Sequence, residues 1–399
     1  MHLPLLPPAV SATARKGSGS TRLLPAGMAL LGLALVTSGC SAASAQDAAA
    51  KSDAATSAST PLAGGEAPAT LAAATPTPAK AASIELSATG DIVMGNAPNA
   101  LPANDGQGFF DGVKQALAAD LVMGNLEEPL TEETTLTKCG GETSGCYQFR
   151  VPPHYAGYLA DAGFEVVNNA NNHAYDYGPE GYQNTGTSLA GVGIQRAGDP
   201  GSYVVEDVNG VKVAVIGFSP YATSNQLTDI PAAQALIRRA AAESDIVVVQ
   251  AHMGAEGADR LHLTGENEIF YDEDRGNPIE FARAAVDAGA DIIIGHGPHV
   301  MRGMEFYNGK LIAYSLGNFA GGGNQLASEG ATGIGGILKV RLNSDGSYNS
   351  GQLVSTYMDG AGVPTLDPNG SAVALVSQLS AEDLSASAAK FGPDGSITP

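Results

Sequence analysis

Short apolar runs alternate with amphipathic stretches from Ser83 onward, and this alternation limits the possible folds more than any other feature of the chain. The apolar runs predict buried strands at "IELSAT", "ADLVMGN", "FEVVNNA", "VKVAVIGFS", "DIVVVQA" and "DIIIG". Helical periodicity falls between many of them, in "FDGVKQALAAD", "PPHYAGYLADAG", "PAAQALIRRAAAES" and "NPIEFARAAVDAGA". Because strands that alternate with helices form sheets covered by helices, the pattern predicts an α/β fold.

The last quarter of the chain has a different pattern. "MEFYNGKLIAYSLGNF" contains an Asn-Gly hairpin signal, and "GGILKVRLNSDGSYNSGQLVSTYMDG" is typical of a second antiparallel pair. A mixed sheet or a second sheet is therefore expected. Residues 370–399 are expected to form one helix and a loose tail.

The N-terminal region has the pattern of a secretion signal of the lipoprotein type. In residues 1–39, basic residues precede the apolar run "LLPAGMALLGLALVT", which is short for a membrane-spanning helix and ends in "SGC". Cys40 is the expected lipid anchor, which predicts an extracytoplasmic lipoprotein of the cell membrane. The alternative is cleavage near "SAASAQ", which would yield a secreted protein.

Residues 40–82 are almost wholly Ala, Ser, Thr, Pro and Gly, a composition that predicts a disordered tether before the domain at 83–399. Cys139 and Cys146 flank one short loop, and in an oxidising compartment a disulfide is expected there rather than a metal site. The formal net charge of −21 argues against nucleic acid as a partner.

Several predicted strands are followed by side chains that can bind metal or transfer protons. In chain order these are Asp91, Glu127, Asn172 with His173, His252, and His296 with His299. Because ligands of open α/β sheets bind at the carboxyl ends of the strands, we expect these residues to converge on one site. Taken singly, each has an ordinary structural interpretation, such as a turn cap for Asp91, a solvated loop carboxylate for Glu127 or a core histidine for His252.

Carboxylates, imidazoles and an amide oxygen together suit Mn, Fe or Zn better than Mg²⁺ or Ca²⁺. The set is large enough for one or two divalent transition-metal ions. Paired ions polarise a phosphoryl oxygen and supply a nucleophile at neutral pH, so hydrolysis of a phosphoester is the expected reaction class.

The segments "ATGDIVMG", "GNLEEPL", "NNANNHAYDYG", "QAHMGAE" and "IIIGHGPHVMRGMEFYNGKLIAYSLGNF" resemble, in this order, those of CapA-type capsule biosynthesis proteins, which are associated with poly-γ-glutamate synthesis. Such proteins are similar to the calcineurin-like metallophosphoesterase superfamily. The resemblance implies a sandwich of two mixed β-sheets flanked by helices. It also implies a polyglutamate synthase or export membrane protein as partner, and an anionic envelope polymer or phosphoester as substrate.

The same resemblance implies a role for each site residue. Asp91, Glu127, Asn172, His252, His296 and His299 match metal ligands, with Glu127 as the bridging carboxylate, and His173 matches the histidine that protonates the leaving group. Asp176 would orient His173. The chain departs from the pattern at Val93, which stands where a second ligand histidine is usual, and in the acidic segment 257–277, which is expected to border the site.

Three functions follow as hypotheses. The first is a tethered, metal-dependent phosphoesterase-like hydrolase of capsule or envelope polymer metabolism. The second is a non-catalytic accessory or scaffold lipoprotein of a polymer synthase or export complex. The third, a secreted nucleotidase, lacks a visible nucleoside-stacking motif in the sequence.

Overall fold

The computed structural model describes residues 80–140 and 145–399. The predicted signal peptide, Cys40 and nearly all of the tether lie outside the described residues, and the predictions made for them stay predictions. In the described part of the chain no helix is both long and apolar enough to span a membrane.

Most of the described strands belong to two mixed sheets. The strands are β1 (Ser83–Val93), β2 (Leu121–Leu126), β3 (Val166–Asn168), β4 (Gln195–Ala197), β5 (Val204–Val208), β6 (Val211–Ser219), β7 (Asn225–Gln226), β8 (Ile246–His252), β9 (Ile269–Phe270), β10 (Glu273–Asp274), β11 (Ile292–His296), β12 (Met304–Tyr307), β13 (Lys310–Ala313), β14 (Asn318–Gly321), β15 (Ile334–Asn343), β16 (Tyr348–Met358), β17 (Pro364–Leu366), β18 (Lys390–Phe391) and β19 (Ser396–Thr398). The helices are α1 (Lys114–Leu117), α2 (Ala156–Ala162), α3 (Gly178–Gly191), α4 (Ile230–Glu243), α5 (Pro278–Asp287) and α6 (Ser371–Leu384).

The larger sheet has the order β18-β19-β16-β15-β1-β2-β3-β4, with β14 also paired to β1 and β17 to β16. The smaller sheet has the order β12-β13-β11-β8-β6-β5, with β7 paired to β6. In the larger sheet β1, β2, β3 and β4 are parallel, whereas β15 and β16 are antiparallel. In the smaller sheet β6, β8, β11 and β13 are parallel. The predicted α/β sandwich of two mixed sheets is confirmed.

The two sheets pack face to face through an apolar core. Leu86 and Met123 of the larger sheet share one buried cluster with Val215, Val248 and Ile294 of the smaller sheet. Successive side chains of a strand point to opposite faces of the sheet, so the residues next to these core residues along each strand face outward and contact helices.

Two helix layers cover the outer faces of the sheets. Val249 and Phe281 belong to the cluster that joins the smaller sheet to α4 and α5, and Val167 and Leu159 to the cluster that joins the larger sheet to α2 and α3. Asp229 caps α4 by accepting a hydrogen bond of 3.1 Å from the backbone N–H of Ala232.

Two local predictions were wrong. The helix expected over "FDGVKQALAAD" is only the single turn α1, since the backbone of Val113 is not helical (φ −120°, ψ −10°). The end of the chain is not loose: β19 pairs with β16, β18 pairs with β19, and Ile397 is buried in the core between the sheets. Burial of this one apolar side chain and the strand hydrogen bonds together hold the terminus on the sheet.

Candidate metal centre

The candidate site lies where the carboxyl ends of strands from both sheets meet. Asp91 on β1 is in register with Asn125 on β2, and His252 on β8 is in register with His296 on β11. The backbone N–H of Gly297 donates to Asp91 Oδ2 over 3.3 Å and so connects the two edges. Gly297 has φ +107°, and a Cβ there would lie 3.1 Å from the ring of His252. Only glycine meets both requirements without strain.

Asp91, Glu127 and His299 form the tightest group of donors. One ligand atom from each lies within 4.8 Å of the other two. His299 Nδ1 is 3.2 Å from Asp91 Oδ2, and His299 Nε2 is 3.7 Å from Glu127 Oε1. His299 has φ +59°, a left-handed conformation that is uncommon outside glycine and is found at functional sites.

His252 and His296 complete the group and are fully buried. His252 Nδ1 lies 3.9 Å from Glu127 Oε1, and His296 Nδ1 lies 3.8 Å from Asp91 Oδ1. The other ring nitrogen of His296 lies 3.2 Å from Gln250 Oε1, which fixes the ring orientation. The structure thus brings together five of the six predicted ligands, and the sixth, Asn172, is connected to them through Glu256.

The charges of this group perturb one another. Burial alone would raise the pKa of Asp91, but the hydrogen bond from His299 and the nearby imidazoles lower it to about 2. Burial lowers the pKa of His296 to about 4 and that of His252 well below its usual value. Burial, reinforced by Asp91, raises the pKa of Glu127 well above its usual range. Burial lowers the pKa of His299, but Glu127, Asp91 and Glu256 raise it more, so that it lies well above its usual value. His252, His296 and Asp91 are therefore in the protonation states that bind a cation, whereas a bound cation would displace a proton from His299 and from Glu127.

The four asparagines before His173 have different contacts. Asn168 and Asn171 both donate to Asn125 Oδ1, over 2.9 and 3.1 Å, and Asn169 donates to the carbonyl of Leu126 over 3.1 Å. Asn172 instead donates from Nδ2 to Glu256 Oε1 over 3.1 Å, and its Oδ1 is buried with no hydrogen-bond partner in the described structure. Three asparagines therefore hold the turn after β3 against β2. The fourth, Asn172, has an amide oxygen that is free to bind a ligand.

His173 belongs to a second group, which borders the first. Its Nδ1 is 2.7 Å from Asp176 Oδ2 and 3.2 Å from Lys138 Nζ, and Lys138 also forms an ion pair of 2.8 Å with Asp176 Oδ1. Phe149 packs against the ring at a centroid distance of 4.5 Å. Burial lowers the pKa of His173, partly opposed by Asp176. The ring is thus neutral near pH 7 unless an anion binds beside it.

The disulfide prediction agrees with the structure. Cys139 and Cys146 are joined with an S–S distance of 2.09 Å. The bond closes the loop directly after Lys138. His154 and His262, the two remaining histidines of the described chain, are both about half exposed.

Sequence reasoning missed Glu256 and Arg275. Glu256 Oε2 lies 3.6 Å from His299 Nε2, and Arg275 Nη1 forms an ion pair of 2.9 Å with Glu256 Oε1. Glu256 comes four residues after His252, so its position after β8 was a usable signal. Arg275 lies in the acidic segment and gave none. Val93 supplies no donor, because its side chain is a hydrocarbon, and it is buried in an apolar cluster with Phe149 and Met358.

The residues present fit a divalent transition metal. Buried polar atoms normally have hydrogen-bond partners. Here, within the described part of the chain, several have none: Glu127 Oε1, both ring nitrogens of His252, His296 Nδ1 and Asn172 Oδ1. Mixed carboxylate and imidazole donors suit Mn, Fe or Zn.

Residues 85–322 match the profile of the family described as "Bacterial capsule synthesis protein PGA_cap". The chain belongs to this family. Among PGA_cap relatives, the "PGA biosynthesis protein CapA" of Bacillus subtilis (strain 168) is 34% identical over 256 residues, which are 59% of this chain and 63% of the relative. The "Capsule biosynthesis protein CapA" of Bacillus anthracis is 30% identical over 259 residues, 59% of each chain.

The match to these PGA_cap relatives spans less than two thirds of their length. Among solved structures, a 5′-nucleotidase precursor from Thermus thermophilus superposes with a TM-score of 0.39 at 15% identity, over 74% of this chain and 58% of that one.

Proposed function

We propose that this chain is a metal-dependent, phosphoesterase-like hydrolase of capsule or envelope polymer synthesis. The observation that carries the proposal is the convergence of Asp91, Glu127 and His299 within 4.8 Å, beside buried donor atoms that lack partners in the described structure. A structural ion-pair network would satisfy these atoms, whereas a ligand set leaves them free for a cation.

Asp91, Glu127, His299, His252, His296 and Asn172 would hold one or two ions. When bound, such an ion polarises a phosphoryl oxygen. His173 would hold the proton for the leaving group. Its Nδ1 faces Asp176, so a proton on Nδ1 fixes the tautomer and leaves Nε2 as the exchanging atom. A bound phosphate, being an anion, would raise the pKa of His173 toward the value that proton donation needs.

Lys138 would modulate the charge of the His173–Asp176 pair. It forms an ion pair with Asp176 and lies 3.2 Å from His173 Nδ1, so it partly neutralises the carboxylate that orients the ring. The disulfide beside it would keep it in place. A disulfide is also typical of a protein outside the cytoplasm, which supports the proposal that the chain is an extracytoplasmic lipoprotein anchored through Cys40.

The test is hydrolysis of bis(4-nitrophenyl) phosphate by the purified full chain with Mn²⁺. We expect His173→Ala to lower the rate by roughly 10²- to 10⁴-fold, the usual contribution of acid–base catalysis, with metal content unchanged. The control is His262→Ala, an exposed histidine paired with Asp383, which should keep the wild-type rate. A folded, metal-loaded chain that hydrolyses no phosphoester would contradict the proposal.

The names of the relatives favour a second candidate function. Both are named for biosynthesis, and neither name states a hydrolytic reaction. The chain would then be a non-catalytic accessory lipoprotein of a polyglutamate synthase or exporter. In a strain that lacks the gene, a His173→Ala variant that restores capsule as well as the wild-type protein does would support this role. Loss of capsule at normal protein level would support the hydrolase.

A further inference from the structure

A cleft of about 450 Å³ opens beside His173 and Asn172. It lies between residues 145–147 on one side and the hairpin β9–β10 on the other, and Glu256 forms part of its wall. We call it the aromatic cleft, because its lining includes the rings Tyr147, Tyr175, Tyr221, Phe270 and Tyr271. A substrate with its phosphoester at the candidate metal centre would extend into this space.

The rings at the mouth of the aromatic cleft are exposed. Tyr271 is 75% exposed and Tyr147 64%. Single exposed apolar residues are ordinary, but large rings grouped at the mouth of one cleft are typical of binding sites, where an aromatic face gives contact area at low entropic cost.

The hairpin holds Tyr271 in an unfavourable backbone conformation. Tyr271 and Asp272 connect β9 to β10 and have φ +48° and +66°. Turns of this kind favour Asn and Gly, and a bulky residue there is strained. Such strain persists where the surrounding structure maintains it, and it clusters at ligand-binding positions.

Buried contacts link the hairpin to the candidate metal centre. The Arg275 side chain is almost fully buried, and its guanidinium lies 5.5 Å from the ring centroid of Tyr221 and 5.3 Å from that of Phe270. Arg275 pairs with Glu273 on the hairpin over 3.0 Å and with Glu256 over 2.9 Å. Arg275 and Glu256 therefore connect the aromatic rings of the cleft to the candidate metal centre.

The charges of the cleft do not favour a polyanion. Its two described cations are already paired, Arg275 with Glu256 and Glu273, and Lys138 with Asp176. The carboxylates of Glu256 and Glu273, which line the cleft, and the tyrosine hydroxyls can instead bond to hydroxyl groups. The rings of Phe270 and Tyr271 contact each other edge to face, with an interplanar angle of 61° and a centroid distance of 4.4 Å. They are therefore not a pair of parallel rings between which a flat base could insert.

We propose that the aromatic cleft binds an uncharged sugar ring of the substrate, stacked on Tyr271, with the ester phosphate directed toward His173. The inference rests on the proposed hydrolase function and names the substrate class of that site: a sugar phosphoester. Tyr271 would determine specificity and take no part in the chemistry.

The test compares the Kd of glucose 1-phosphate, glycerol 1-phosphate and AMP for the full chain by calorimetry. We expect glucose 1-phosphate to bind about tenfold more tightly than glycerol 1-phosphate, since a stacked ring adds contact that the acyclic compound lacks. Tyr271→Ala should remove that preference and leave glycerol 1-phosphate unchanged. Tyr271→Phe should retain it, as should the control Tyr357→Ala, a partly exposed tyrosine on β16.

Equal affinity for the two phosphates in the wild type, binding of neither, or a preference that survives Tyr271→Ala would overturn the inference. Tighter binding of AMP that depends on Tyr271 would overturn it in favour of a nucleobase. A chain that holds metal and hydrolyses phosphodiesters without any ring preference fails this inference alone. A chain without metal or hydrolysis that still prefers the sugar phosphate fails only the proposed function.

Discussion

Asn171 and Asn172 are neighbours in the chain but face different environments. Asn171 donates to Asn125 Oδ1 and to the carbonyl of Leu126, over 3.1 and 2.8 Å, and so ties the turn to β2. Asn172 donates from Nδ2 to Glu256, and its buried Oδ1 has no hydrogen-bond partner in the described part of the chain. A neutral amide oxygen coordinates a cation without adding negative charge to a site that already holds two carboxylates.

The pair gives a test at the residue scale. We expect Asn172→Ala to lower the affinity for metal by about tenfold or more. The free energy of unfolding of the metal-free chain should change little. Asn171→Ala should instead cost roughly 1–3 kcal/mol of stability, because buried acceptors lose their donors. Metal titration and urea unfolding of both variants measure the difference. Equal effects of the two variants on metal affinity would refute the assignment.

At the scale of elements, a buried ion pair ties segment 257–277 to the turn after β11. Arg302 Nη1 and Nη2 each lie 2.8 Å from an oxygen of Glu268, and Arg302 Nε donates to the carbonyl of Arg260 over 2.8 Å. The pair is bidentate and desolvated, so removal of one partner leaves a buried, unpaired charge.

We therefore expect Glu268→Ala to cost about 3–5 kcal/mol and to raise hydrogen exchange across 257–277. The matched control is Asp259→Ala, which removes an exposed carboxylate 3.7 Å from Arg260 and should change stability by less than about 0.5 kcal/mol. Unchanged exchange in Glu268→Ala would show that other contacts hold the segment.

The elements also show which parts of the fold the sequence predicts. "VKVAVIGFS" coincides with β6, and "DIVVVQA" and "DIIIG" match β8 and β11 within a residue at each end, since a fully buried parallel strand is a continuous apolar run. Helix α3 gave no such signal, because Gly178, Gly181, Gly186 and Gly191 weaken its intrinsic propensity. Its packing against the sheet overrides that preference.

The candidate site was predictable to the same extent. Strand ends are visible in sequence, so Asp91, Glu127, His252 and His296 were found. Arg275 was not, because its role comes from the pairing of β9 with β10 and its contact with Glu256, which no local pattern encodes.

At the scale of the whole molecule, bound metal should stabilise the sandwich, because its ligands come from both sheets. Asp91 lies on β1 and Glu127 follows β2 in the larger sheet, and His252 and His296 end strands of the smaller one. An ion that binds only the folded chain adds about 2.7 kcal/mol at a hundredfold excess over its Kd. We expect Mn²⁺ to raise the Tm of the chelator-treated chain, and no rise despite bound metal would place the ion elsewhere.

The central claim, that Asp91, Glu127 and His299 form a metal centre, is tested most directly by elemental analysis of the purified full chain and of Asp91→Ala. We predict at least one equivalent of Mn, Fe or Zn per wild-type chain and a loss of most of it in Asp91→Ala, with circular dichroism showing that both are folded. A folded wild-type chain that binds no transition metal after incubation with Mn²⁺ or Zn²⁺, or a variant that binds as much as the wild type, would contradict the claim.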